Sequence, residues 1–173
     1  MCEQRSKLTE HQIEEILTYL PIVYRICMGF TKNPSDAEDL TQEVYLRAHR
    51  KLKSLRQPES SREWLCRIAR NTCLNHVKRQ NIIHFFPLDI FNPPLETQTP
   101  EQSIILSEQH KFFKKAVEKL PLKWREVFIL REYGHMSYEE IASLLQTKKG
   151  TVMSRLNRAR NTCLLYTSDA ADE

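Results

Sequence analysis

Residues Ser137 to Arg160 read S-Y-E-E-I-A-S-L-L-Q-T-K-K-G-T-V-M-S-R-L-N-R-A-R, and their spacing predicts two short helices joined by a tight turn. Ser137 can cap the first helix while Glu140 reaches back to it, the reciprocal pairing of a capping box. Ile141, Leu144 and Leu145 then share one face, and Ala142 leaves room for a close neighbour. Gln146 to Gly150 interrupt the period, and Thr151 is expected to open the second helix. Val152, Leu156 and Ala159 point inward there, leaving Thr151, Ser154, Arg155 and Arg158 outside. Lys148, Lys149, Arg155, Arg158 and Arg160 make this hairpin basic, with no acidic residue between Gln146 and Leu165. An apolar back and a basic, hydroxyl-bearing front suit a helix entering a DNA major groove, where Lys and Arg neutralise phosphates and Arg or Ser reach base edges. A basic amphipathic hairpin with a merely solvated front has the same pattern.

The remainder of the 173 residues sets the frame. An apolar share of 40% supports packed cores, and no apolar run approaches the ~18 residues of a membrane span. The opening M-C-E-Q-R-S-K lacks the apolar stretch of a secretion signal, so a cytoplasmic address is expected. Net charge is only +4, so the distribution of charge matters more than its sum. The five cysteines form no C-x-x-C and read as reduced thiols, mostly small core residues. The three glycines, 29, 134 and 150, stand where helices are expected to end and read as C-caps.

In chain order, Thr9 and Gln12 make a first capping box, and Pro21 is expected to kink the following helix or to divide it in two. Ser35 and Glu38 make a second box. Ala37, Leu40, Val44 and Ala48 form the buried stripe after it, with Asp36, Glu38, Asp39 and Glu43 early and Arg47, Arg50 and Lys51 late. That order suits the helix dipole. Taken alone the acidic face is a solvated surface or, less readily, a metal site without histidine support. Leu55 to Ser61 is a polar turn containing Pro58, and Ser60 with Glu63 makes a third box. In the next helix Trp64, Leu65, Ile68, Ala69, Thr72 and Val77 pack, while Arg67, Arg70, Asn71, Asn75, Lys78 and Arg79 form a basic outer surface suited to phosphates and base edges.

Residues 81–100 hold Pro87, Pro93, Pro94 and Pro100 and show no helical period, so they read as a linker between two small domains, 9–80 and 101–165. His84, Phe85 and Phe86 are candidates to dock the linker's start. Beyond it, Thr99 and Gln102 make a fourth box. Ile105, Phe112, Phe113, Ala116, Val117 and Leu120 mark one helix, and Trp124, Val127, Phe128 and Arg131 the next, stopped by Gly134. The expected fold is all-α, two small helical domains with a helix-turn-helix in the second. The tail 166–173, Y-T-S-D-A-A-D-E, is discordant with the basic helix before it and is expected to be disordered or artefactual.

Together these segments resemble the bacterial RNA polymerase sigma factors of the extracytoplasmic-function type, over about residues 10 to 163. D-A-E-D-L-T-Q-E (36–43) looks like the family's helix that grips the clamp helices of the polymerase beta-prime subunit. W-L-C-R-I-A-R-N (64–71) looks like its promoter-melting, minus-ten-reading segment. L-P-L-K-W-R-E-V-F-I-L-R (120–131) and the hairpin after it look like the domain that reads the minus-thirty-five element. The resemblance implies a dissociable specificity subunit with no cofactor and no enzymatic activity. Its partners would be core RNA polymerase, through the clamp helices and the beta flap, and promoter DNA; an anti-sigma factor is also in keeping with the family. Asp36, Glu38, Asp39, Leu40, Gln42 and Glu43 become candidate polymerase contacts. Arg56, Ser60, Arg67, Arg70, Asn71, Asn75 and Lys78 become candidates for the minus-ten strand, and Lys148, Lys149, Thr151, Ser154, Arg155 and Arg158 for the minus-thirty-five groove. His49 and Ser61 stand where the family often carries Trp and Phe, which leaves fewer stacking platforms for unpaired bases.

Two other classes fit parts of the chain. A stand-alone helix-turn-helix regulator needs the hairpin but neither the acidic helix nor the second basic one. A nuclease on the acidic cluster would need a nucleophile–base constellation or a ligand-spaced His/Cys set, and the sequence offers neither.

Overall fold

The structure is a computed structural model that describes residues 13–31, 33–52, 61–85 and 115–169. The boxes at Thr9–Gln12, Ser60–Glu63 and Thr99–Gln102, the turn carrying Arg56 and Ser60, Cys2, Ile105, Phe112 and Phe113, and the docking expected of His84, Phe85 and Phe86 rest on residues or side chains outside that description. Helices make up the fold, and the described residues contain no strand.

A helical segment over 13–18 stops at the turn of Tyr19, and α1 follows at Leu20–Phe30 with Pro21 in its first turn. Proline's missing N–H costs nothing at a helix start, so Pro21 divides two abutting helices as expected. Helix α2 covers Pro34–Lys51. Its cap is Asn33, whose Oδ1 accepts from the Asp36 N–H at 2.8 Å, and not the Ser35–Glu38 box. Pro34 explains the shift: its fixed φ suits the first helical position, which leaves Ser35 already inside the helix. Ala37, Leu40, Val44 and Ala48 are buried, the stripe that the spacing predicts. Helix α3 runs from Ser61 to Phe85 and buries Leu65, Cys66, Ile68, Ala69, Thr72 and Cys73. It continues through 81–85, where the linker was expected to begin; the prolines start only at Pro87, so nothing local stops it earlier. Helices α1, α2 and α3 pack against one another.

In the second half residues 115–119 are helical, with Ala116, Val117 and Leu120 buried. Helices α4 (Leu122–Glu132), α5 (Tyr138–Leu144) and α6 (Lys149–Asp169) follow. α4 packs on α6, α5 on both, and α4 also on α1. The buried side chains of the two halves therefore form one contiguous cluster.

Gly134 stands just past the end of α4, its N–H reaching Ile129 O at 3.1 Å, as expected, but the other two glycine caps are corrected. Gly29 lies inside α1, Gly150 lies in the first turn of α6, and no glycine has a positive φ. The left-handed positions that end α4 and α5 fall on His135 (φ 52°) and Gln146 (φ 50°). The tail also departs from expectation: α6 continues to Asp169, because its backbone bonds propagate once the helix is anchored by Val152, Leu156, Ala159 and Cys163. Cys27, Cys66, Cys73 and Cys163 are free thiols buried in the core, as their scatter predicts.

Candidate nucleic-acid interface

The hairpin forms as its capping signals require. Ser137 Oγ accepts from the Glu140 N–H at 3.2 Å, and the Glu140 carboxylate accepts from the Ser137 N–H. A hydrogen bond from Glu63, then bonds from Ser137 and the charge of Arg62, hold the Glu140 carboxyl below its ordinary range. At the other end of α5, the Gln146 N–H reaches Ser143 O (3.3 Å) and the Thr147 N–H reaches Ala142 O (2.9 Å). That pair is the Schellman closure, and its left-handed residue is Gln146. Helix α6 then starts at Lys149, two residues before the expected Thr151.

Val152, Leu156 and Ala159 are buried on α6, each fully buried side chain of Val or Leu size contributing about 1.5–3 kcal/mol. Ser154 and Arg158 are exposed, and Thr151 and Arg155 are half-buried on the same outer side. The basic set is not uniform. Lys149 is paired with Glu139, and the Arg160 guanidinium binds Glu132 Oε1 at 2.7 Å. Arg158 lies over the Trp124 ring, 5.8 Å from its centre. Lys148 and Arg155 make no ion pair with a described residue. The Lys149–Glu139 pair lies in solvent, where water and salt screen it, so a phosphate can displace the carboxylate.

On α2, Glu38, Asp39 and Gln42 are exposed, and Glu43 is half-buried and paired with Arg47. One candidate there is corrected, and a second has a structural role as well. Leu40 is 4% exposed, so its side chain belongs to the core and not to a docking face. Asp36 accepts from Asn33 Nδ2 at 2.9 Å and faces His76 across 3.6 Å, which makes it part of the helix cap. Leu46, missed in the sequence, is 52% exposed on the side of Asp39, Gln42 and Glu43. Its only signal was a large apolar residue off the buried stripe. Among the described residues no three His, Cys, Asp or Glu side chains stand close enough to hold a metal ion.

On α3, Asn71, Asn75 and Lys78 are exposed, but Arg67 and Arg70 are half-buried and face the second half of the chain. With Asn71 they line one wall of a cleft of about 520 Å³ whose other wall is Ser143 to Gln146. The expectation that this whole basic face points outward is therefore corrected for Arg70, which is paired through Nε with Glu126 of α4. Its Nη1 also donates to Asn71 Oδ1 at 2.9 Å. Arg62, likewise missed, donates from Nη1 to Gly134 O (3.0 Å) and to His135 O, and from Nη2 to Glu140 Oε1 (3.1 Å).

Two family profiles match this chain in this order: Sigma-70 region 2 over residues 16–82 and Sigma-70 region 4 over residues 113–163. The ECF RNA polymerase sigma factor SigE of Mycolicibacterium smegmatis is 35% identical over 153 residues, covering 87% of this chain; the chain spans only 59% of that relative's length. The RNA polymerase sigma-H factor of Pseudomonas aeruginosa is 30% identical, over 84% of this chain and 80% of its own length. The ECF RNA polymerase sigma-E factor of Escherichia coli is 33% identical, over 72% and 70%. Among solved structures, the sigma factor RpoE of Bartonella quintana, crystallised in complex with the anti-sigma factor NepR, superposes with a TM-score of 0.69 at 26% identity, covering 90% of this chain and 95% of that one. The chain belongs to the extracytoplasmic-function RNA polymerase sigma factors, the subunits that direct promoter-specific transcription initiation. Among the described residues no helix is long and apolar enough to cross a membrane.

Proposed function

We propose that this chain is a non-enzymatic, cytoplasmic specificity subunit whose two units, 9–80 and 101–165, divide the promoter between them. The first docks on core polymerase through Glu38, Asp39, Gln42 and Glu43 of α2, charges that set association rate and partner choice more than affinity. Along α3, Arg67, Arg70, Asn71, Asn75 and Lys78, with Arg56 and Ser60 before it, hold the unpaired minus-ten strand. Taking a base out of its stack costs a few kcal/mol, which phosphate and amide contacts offset. The second unit lays the start of α6 in the minus-thirty-five major groove. Thr151, Ser154 and Arg155 face base edges, and Lys148, Lys149 and Arg158 face phosphates.

The observation that carries this reading is the outer side of α6. Val152, Leu156 and Ala159 anchor the helix inward, while Lys148 and Arg155 are uncommitted to any described carboxylate. An anti-sigma protein is a further expected partner, since the solved relative was captured with one. Run-off transcription by a heterologous core polymerase on a random promoter pool tests the proposal. Enrichment of promoters sharing two elements at fixed spacing is expected. A chain that binds DNA without polymerase and directs no start points would instead be a stand-alone helix-turn-helix regulator.

A further inference from the structure

We propose that Cys27 of α1 and Cys73 of α3 form a peroxide-responsive dithiol site, whose oxidised product is a reversible disulfide that locks the two helices together. The inference goes beyond the sigma reading given above and does not rest on it.

The site lies where the three helices of the first half meet. The two Sγ atoms, 46 positions apart in sequence, are 3.6 Å apart, in van der Waals contact. Both residues are fully buried, and the Cys27 thiol also meets Thr41 of α2. Both are free thiols. A disulfide holds its sulfurs about 2.0 Å apart, so oxidation closes roughly 1.6 Å, within reach of small side-chain turns and a slight approach of the helices. Cys66 offers the contrast. Its Sγ faces the carbonyl of Gly134 at 4.0 Å, which gives an oxidised sulfur nothing to condense with there. Buried cysteines commonly serve as small apolar fillers, and contact between two sulfurs is what separates this pair from Cys66.

The two sulfurs are chemically unequal. The hydrogen bond from Cys73 holds the Cys27 thiol below its ordinary range against the pull of burial, while that same bond and burial push Cys73 up. Cys27 is therefore the sulfur that ionises first and attacks. Its thiolate displaces hydroxide from hydrogen peroxide, forming the S–O bond of a sulfenic acid as the O–O bond breaks. Cys73 then attacks that sulfur. The S–S bond forms, the S–O bond breaks, and the Cys73 proton leaves with the hydroxide as water. In sum two thiols and one peroxide give one disulfide and two waters, with two electrons passing from sulfur to oxygen. Entry is through the last turn of α1, where Cys27 O accepts the capping N–H of Thr31 at 2.9 Å. Terminal turns open readily, and peroxide is scarcely larger than water. In the cytoplasmic setting proposed above such a disulfide is transient, formed under oxidant and reduced again by thiol exchange.

The test uses the full chain, reduced and desalted, treated with hydrogen peroxide and then alkylated in denaturant. Peptide mass mapping without reductant reads the pairing, and thermal melts before and after dithiothreitol read the lock. Expected is one dominant cross-link between tryptic peptides 26–32 and 71–78, formed within single chains, with Cys66 and Cys163 still alkylated. Closing a loop of that length should raise the melting midpoint by roughly 5–10 °C, a rise that dithiothreitol reverses. Cys66→Ala should keep the cross-link and the rise, and Cys73→Ala should lose both. Should Cys73→Ala lose its fold, mapping of the wild type decides alone. Thiols that stay unlinked in the folded chain, a Cys27 that runs on to sulfinic acid, a cross-link scrambled among all the cysteines, or a linked chain that melts no higher than the reduced one would each overturn the site.

Discussion

A methyl group on Gly29 would lie 2.7 Å from Cγ1 of Ile129 and 3.0 Å from Cε2 of Tyr133, so α1 meets α4 at a point where only a hydrogen fits. Gly150 is the opposite case, with nothing within 4 Å of the added atom. Replacing a helical glycine by alanine gains up to about 1 kcal/mol of helix propensity. At Gly150 that gain stands alone, so Gly150→Ala should stabilise the chain. At Gly29 it is set against overpacking of about 1–3 kcal/mol. Gly29→Ala should therefore destabilise on balance, and urea unfolding of the two variants should move in opposite directions.

The α6 side chains should separate by partner. Arg155→Ala should relax sequence preference at one position of the minus-thirty-five element, by about 1–3 kcal/mol if it makes a bidentate base contact. Lys148→Ala should weaken all sequences alike and lower the salt slope by roughly one. Arg158, lying over Trp124, should also cost about 0.5–1 kcal/mol of stability when removed, an effect absent from the other two. Promoter-variant binding with reconstituted polymerase, alongside thermal melts, reads all three; equal losses on every sequence for Arg155→Ala would remove it from base reading.

Gln146 closes α5 at φ 50°, where its Cβ crowds the backbone. The left-handed conformation costs a side-chain-bearing residue about 1–2 kcal/mol, and glycine gives back part of that as chain entropy. Gln146→Gly should raise stability by about 0.5–1 kcal/mol. No gain in the denaturation midpoint would mean the turn relaxes in solution.

Burial pushes the Cys66 thiol up to about 11 from an ordinary 9.0. A group whose proton is held more tightly in the folded state contributes stability that is complete below its unfolded value. That contribution is lost as pH rises through the folded one. Between pH 9 and 11 the wild type should lose up to about 2–3 kcal/mol more stability than Cys66→Ala. Parallel urea titrations at pH 8 and pH 10.5 measure the difference.

Local packing was legible in the sequence wherever one helix alone dictated it. The stripes Ala37–Leu40–Val44–Ala48 and Val152–Leu156–Ala159 are buried as their spacing requires, and Ser137 with Glu140 closes its box. The misreadings are of two kinds. Asn33 displaced Ser35 as cap because Pro34 fixes the helix start, and Leu40 fell among acidic neighbours although its period places it inside. The seam between the two halves was not legible at all. Arg70 and Glu126 are 56 residues apart, Arg62 and Glu140 are 78, and helical periodicity carries no information across such distances. The one hint was Glu126 itself, a carboxylate set in the apolar run V-F-I-L, which marks a buried charge in want of a partner.

Leu46 gives the α2 face a second character. On the docking proposed above, the carboxylates act at long range and their pull fades within a Debye length, ~8 Å at physiological ionic strength. An exposed leucine beside them acts only on contact and is indifferent to added salt. Capture and retention would then respond to different conditions: concentrated electrolyte would slow the first encounter with polymerase while leaving the residence time of an assembled holoenzyme nearly as it was.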